Sequence, residues 1–111
     1  MALSGDAATL VVGAIAEAGN GVGVGADGSD NSTVESGAVY VYTNSAGTWA
    51  EDSYIKASNT GGVDSFGFSA AVNSDGTAVA VGAYLEDSAA TGIGGNQADN
   101  SAAQSGALYL Y

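Results

Sequence analysis

Residues 1–42 align without a gap on residues 70–111, and 16 of those 42 positions are identical. An offset of 69 residues held over that length constrains the chain more than any other feature, because one structural unit must serve almost twice. Val12, Gly13 and Ala14 match Val81, Gly82 and Ala83, and Glu17 matches Glu86. Asp30, Asn31 and Ser32 match Asp99, Asn100 and Ser101. The run from Ser36 to Tyr42 matches the run from Ser105 to Tyr111, with both tyrosines kept. Scattered Ala and Gly identities arise from low complexity alone, but a gapless register that also keeps Tyr, Asp and Asn does not. The period is too long for a WD40 or kelch unit and approaches the length of one large β-propeller blade.

Local patterning is β throughout. Thr9–Ala14 and Ala78–Ala83 are short apolar runs ending in Gly-Ala, as buried strands are. Ala38–Tyr42 and Ala107–Tyr111 alternate with period two, placing Ala and two Tyr on one face and Val or Leu on the other. Trp49–Ala57 reads as a further strand, irregular near Glu51, Asp52 and Ser53, and Phe66–Val72 as another. Asn73-Ser74-Asp75-Gly76 supplies the Asp-Gly chemistry of a hairpin turn. No window keeps a helical period. The expected class is all-β, in four-stranded antiparallel units, with about 1.6 repeats of 69 residues. A partial unit over residues 1–57 and a second over 66–111 are joined by a linking turn at 58–65. Each unit carries a long Gly/Asn/Asp/Ala loop, residues 15–35 and 84–104, and loops of this length are functional or disordered.

Charge excludes several functions. Twelve acidic residues face one base, Lys56, for a formal net charge of −11. Nucleic acid and anionic lipid both require cations that this chain lacks. The absence of Cys and His removes disulfides, zinc sites and imidazole catalysis. No apolar stretch reaches membrane-spanning length, so membrane insertion is not expected. The first residues, Met1 to Asp6, have neither a basic nor a long apolar region, so an export signal would lie upstream or export would take another route.

The residues Phe66-Gly67, Gly82-Ala83 and Gly13-Ala14, with Val72-Asn73-Ser74-Asp75-Gly76 between the first two, resemble the FG-GAP repeat. That repeat is the blade unit of the integrin-α β-propeller and of bacterial surface proteins. The segment Gly94–Ser101 followed by Ser105–Tyr109 is similar to the bacterial variants with long loops. The resemblance covers nearly the whole chain. It implies stacked propeller blades, an extracellular or cell-surface location and a role in adhesion or assembly rather than catalysis. In integrin blades the turn between the first two strands often binds calcium. Here Ala71, Asn73, Asp75 and Val79, and in the other copy Ala2, Ser4, Asp6 and Leu10, are too poor in carboxylates for that site. A ring needs several blades, so the expectation is either self-assembly into a ring or filament or membership of a longer protein.

Candidate sites follow from the loops and the aromatics. Asp27, Asp30 and Asn31 match Asn96, Asp99 and Asn100, hard oxygen donors that could hold calcium. The same residues also make turns, since their side chains bond nearby backbone. No other cofactor is expected. Asn31-Ser32-Thr33 is a glycosylation sequon at Asn31. Tyr40, Tyr42, Trp49, Phe66, Tyr109 and Tyr111 are the candidate packing set, with carbohydrate stacking by the tyrosines as the other reading. Glu17, Glu86, Asp87, Glu51 and Asp52 could in principle pair for glycoside hydrolysis, but sequence cannot place such a pair across a substrate in the fold. Lys56, the one lysine, is expected on an outer strand as a solvated charge that discourages edge pairing. The leading expectation is a non-catalytic structural or adhesion module that self-associates, against a calcium- or glycan-binding module using the acidic loops.

Overall fold

The structure, a computed structural model, describes all residues from Met1 to Tyr111 as two antiparallel β-sheets with no helix. The strands are β1 (Ala2–Leu3), β2 (Thr9–Ala14), β3 (Gly23–Val24), β4 (Ala38–Ser45), β5 (Thr48–Lys56), β6 (Phe66–Val72), β7 (Val79–Ala83) and β8 (Ala107–Leu110). The first sheet runs β1-β2-β4-β5-β3 and the second β6-β7-β8. The six longer strands fall where apolar alternation and turn chemistry place them. Asp52 is the extra residue where the β4–β5 register shifts, in the segment read as irregular. The two-residue strands β1 and β3 were not legible, because neither Ala-Leu nor Gly-Val carries a period.

The repeat extends to backbone conformation. Gly23, Gly25 and Gly37 are left-handed, and so are their counterparts Gly92, Gly94 and Gly106. Glu35 and Gln104 take φ values of 53° and 56°, and Ala7 adopts 57° where the second unit has Gly76 at 73°. Both inter-strand turns close alike. Thr9 N–H donates to Ser4 Oγ at 2.9 Å, and Ala78 N–H donates to Asn73 Oδ1 at 2.9 Å. A side-chain acceptor at the start of each turn satisfies an amide that would otherwise face the strand end unpaired.

The core lies between the sheets. Val11, Val39, Val41 and Ile55 of the first sheet meet Phe66, Val79, Val81 and Tyr109 of the second. Phe66 is fully buried, with its ring edge-on to Tyr109 at 5.3 Å and to Tyr111 at 6.1 Å between centroids. Burying such a side chain is worth about 1.5–3 kcal/mol, and aromatic edges add a fraction of that. A register shift between Phe66 and Ser69 turns Phe66 inward beside Ala70 and Val72. Gly67, at φ 92°, lets its backbone approach Gly13 of the opposite sheet closely. No side chain fits between them.

Matched strands bury opposite faces. In β4 the inner residues are Val39 and Val41, whereas in β8 their counterparts Leu108 and Leu110 point outward, 68% and 77% exposed. Conversely Tyr109 is buried between the sheets, while its counterpart Tyr40 lies on the outer side of the first sheet. Val11 is buried in β2, yet in β7 it is Val81, the counterpart of Val12, that is buried.

Candidate functional site

Two carboxylates, Glu17 largely buried and Glu86 fully so, mark the same place in each unit. In the first, Glu17 Oε1 accepts the Gly19 amide at 2.9 Å, and Glu17 Oε2 takes the Lys56 ammonium at 2.8 Å. Lys56 Nζ also donates to Ser36 Oγ at 2.7 Å, and the Ser36 hydroxyl lies 2.9 Å from the Gly19 carbonyl oxygen, to which it donates. Lys56 has 0% exposure. It is therefore not the solvated edge charge expected of it. The end of β5 lies between β4 and the short β3, and Glu17 of the 15–35 loop reaches the lysine ammonium. A buried ammonium persists only with a charge partner and hydrogen bonds, and Glu17 and Ser36 supply both. Burial pulls the Glu17 carboxyl upward, but the bonds from Lys56 and Gly19 outweigh it and hold it below its ordinary value of 4.5. The Tyr54 hydroxyl lies beside this carboxylate, and burial, helped by Glu17, raises that phenol.

The second unit keeps the receptor without the lysine. Glu86 is 2% exposed, its Oε2 accepting the Ser88 amide at 2.9 Å as Glu17 accepts Gly19. Ser105 Oγ lies 3.1 and 2.6 Å from the Glu86 and Ser88 carbonyl oxygens and donates to the nearer, as Ser36 does with those of Glu17 and Gly19. Where the first unit places an ammonium, the second places the neutral Asn59 amide, 2.9 Å from Glu86 Oε1. Asn59 in turn accepts the Tyr109 hydroxyl at 2.6 Å. Burial pushes the Asp64 carboxyl above its ordinary value, and the Glu86 and Asp87 carboxylates push it further. This neighbourhood is strongly electronegative and contains no cation.

Beside that carboxylate runs a cleft of about 680 Å³. Its walls are β8 and the loop segment Gly92–Gly95, with Glu86, Ser88 and Gln97 toward one end. Gly92 and Ile93 correspond to Gly23 and Val24, which form β3 in the first unit. There β5 runs between β4 and β3; here the space between β8 and residues 92–95 is open. Ile93 projects fully into solvent.

The loop acids proposed as metal ligands serve as turn formers in the structure. Asp27 Oδ1 accepts the Ser29 amide, Asp30 Oδ1 that of Ser32, Asn96 Oδ1 that of Ala98 and Asp99 Oδ1 that of Ser101. Hydrogen bonds from Ser29 and Ser32 hold the Asp27 and Asp30 carboxyls below their ordinary value. Asn31 donates to the Ser29 carbonyl at a long 3.4 Å and is exposed, as is Asn100. No group of three or more His, Cys, Asp or Glu side chains is arranged to hold a metal ion. Of the aromatic set, Phe66, Tyr109 and Tyr111 meet in the core. Tyr40 packs edge-on to Tyr54 on the outer side, Tyr42 is half-buried, and Trp49 is exposed near the β4–β5 hairpin tip.

No protein-family model matches the chain, and neither a curated protein nor a solved structure does. The Glu17–Ser36–Lys56 group was missed in the sequence. Its signal was the paired recurrence of Glu17 with Glu86 and of Ser36 with Ser105, two polar positions kept 19 residues apart in both units.

Proposed function

We propose that this chain is a non-catalytic structural module, extracellular or at a cell surface, whose sheets stack like propeller blades and which self-associates through its outer faces. The observation that carries this reading is the opposite burial of matched strands. Inside the molecule, the Val11–Val39–Val41 face of the first sheet packs on the Val81–Tyr109–Tyr111 face of the second. The outer faces are the missing halves of that same contact. The first sheet presents Leu10, Val12, Tyr40 and Tyr42, the counterparts of Val79, Val81, Tyr109 and Tyr111. The second presents Ala80, Gly82, Leu108 and Leu110, the counterparts of Val11, Gly13, Val39 and Val41. A second molecule would thus repeat the internal contact, head to tail. Such heterologous contacts close into rings or run on as filaments, according to the rotation per step. The exposed Leu108 and Leu110 are an apolar pair of the kind that marks an interaction face.

Light scattering across a concentration series, with electron microscopy of the largest species, tests this. The expected result is association that strengthens with salt, because salt screens the −11 carried by each molecule. The double variant Leu108→Lys and Leu110→Lys should remain folded by circular dichroism and need at least roughly tenfold more protein to associate, since two charges would be desolvated. A chain that stays monomeric at millimolar concentration and high salt sinks the reading.

A further inference from the structure

We infer that the cleft along β8 is a docking site for an extended, lysine-bearing polypeptide strand, which adds antiparallel to β8 and sets its ammonium on Glu86 and Ser105. This goes beyond the self-association reading, since it names an edge and a ligand chemistry that a folded second copy does not offer, and it is tested apart from face stacking.

The molecule contains its own template. In the first unit β5 pairs with β4 on one side and β3 on the other, with Ile55 opposite both Val39 and Val24. Lys56, the next residue, pairs with Gly23 and reaches Glu17 and Ser36. Every wall of that slot recurs in the second unit. Leu108 stands for Val39, Gly92 and Ile93 for Gly23 and Val24, Glu86 for Glu17, and Ser105 for Ser36. The slot is open there as the 680 Å³ cleft, and the neutral Asn59 amide holds the Glu86 oxygen that a lysine would take.

Backbone chemistry favours a strand over a compact ligand. Tyr111 and Val79 exchange two hydrogen bonds, Tyr111 N–H to Val79 O at 2.9 Å and Val79 N–H to Tyr111 O at 2.8 Å. Antiparallel ladders alternate, so Leu108 and Leu110 turn their amides and carbonyls away from β7, toward the cleft. A row of unsatisfied donors and acceptors at a sheet edge is a template for strand addition.

Charge selects the side chain. Glu86 is a buried carboxylate with Asp64 and Asp87 as charged neighbours and a neutral amide as partner. A cation is the group this site lacks, and the reach from a strand backbone is the reach of Lys56 in the first unit. The chain has no second lysine to supply it. One wall also differs in size: Gln97 stands where Gly28 lies under the Tyr54 ring, and it accepts a bond from Ser58. The docked strand therefore carries a small residue two positions before its lysine.

The test uses a fluorescein-labelled decapeptide copying Thr48–Ala57 with Tyr54→Ser, titrated into the full chain at a concentration where light scattering reports monomer. Saturable binding is expected, with new amide-exchange protection at Leu108 and Leu110. The peptide with Lys56→Met, and separately the chain with Glu86→Gln, should each bind roughly ten- to a hundredfold more weakly, the usual value of a hydrogen bond to a charged group. Equal affinity of the lysine and methionine peptides overturns the assignment, as does no saturable binding to chain that is folded by circular dichroism. The peptide substitution leaves the chain itself untouched, so misfolding cannot mimic its effect. Binding by a chain that never associates would keep this inference and remove face stacking; the converse result would do the reverse.

Discussion

Replacing Lys56 by methionine lowers the stability of this fold by about 3 kcal/mol, the cost of stranding one member of a buried ion pair. For a domain of this size that is a fall in Tm of roughly 10–20 °C, read by thermal melts at pH 7. Packing loss is small, because methionine nearly matches the lysine stem in volume. The damage comes from Glu17, which keeps its charge but loses the 2.8 Å ammonium. Two checks separate this cause from others. The double variant Lys56→Met with Glu17→Gln should recover more than half of the loss, since no charge is left stranded. The gap between Lys56→Met and the parent should also close as pH falls. Glu17 is held below its ordinary value of 4.5 in the folded parent, so its contribution is present above that value and lost on descending through the range beneath it. A gap that persists undiminished at pH 3 would assign the effect to packing instead.

Gly13→Ala is the second large effect, at about 3 kcal/mol or more. A methyl group on Gly13 would overlap the Gly67 carbonyl oxygen and lie 2.9 Å from its carbon. Both atoms are backbone in the tightest part of the core, so the two sheets must separate to admit it. The matched substitution Gly82→Ala supplies the control. There the nearest atom is the Ser69 hydroxyl, the end of a side chain that can rotate, on the outer side of the sheet. Its cost should be under about 1 kcal/mol. Urea unfolding of both variants measures the contrast, and equal losses would show that the close approach of Gly13 to Gly67 does not hold the sheets together.

These two residues also show what sequence could and could not reveal. Strand positions were legible because alternation and turn residues are local properties, and Asn73 to Gly76 announces its hairpin unaided. Which face of a strand is buried was not legible. Val39 and Tyr40 are both apolar enough for a core, and the choice is made by the neighbouring sheet, which lies on opposite sides of the two units. For the same reason the tyrosines were assigned one common role and divide into two. Lys56 was misjudged because its partners stand 39 and 20 residues away, within a loop without periodicity. The acidic loops admitted two readings from the start, and backbone geometry shows the turn-forming one at work in Asp27, Asp30, Asn96 and Asp99.

The burial of the only basic side chain has a practical corollary for protease susceptibility. Trypsin cuts after Lys or Arg, so this chain offers it a single scissile bond, Lys56–Ala57. The side chain that must enter the protease pocket has 0% exposure, and β5 is hydrogen-bonded to strands on both sides of its end. The native molecule should therefore resist digestion until β5 pulls free. When reclosing outpaces cleavage, the digestion rate then follows the equilibrium population of the opened form. One enzyme, one bond and two fragments, residues 1–56 and 57–111, would turn a simple time course into a gauge of how often the first sheet opens.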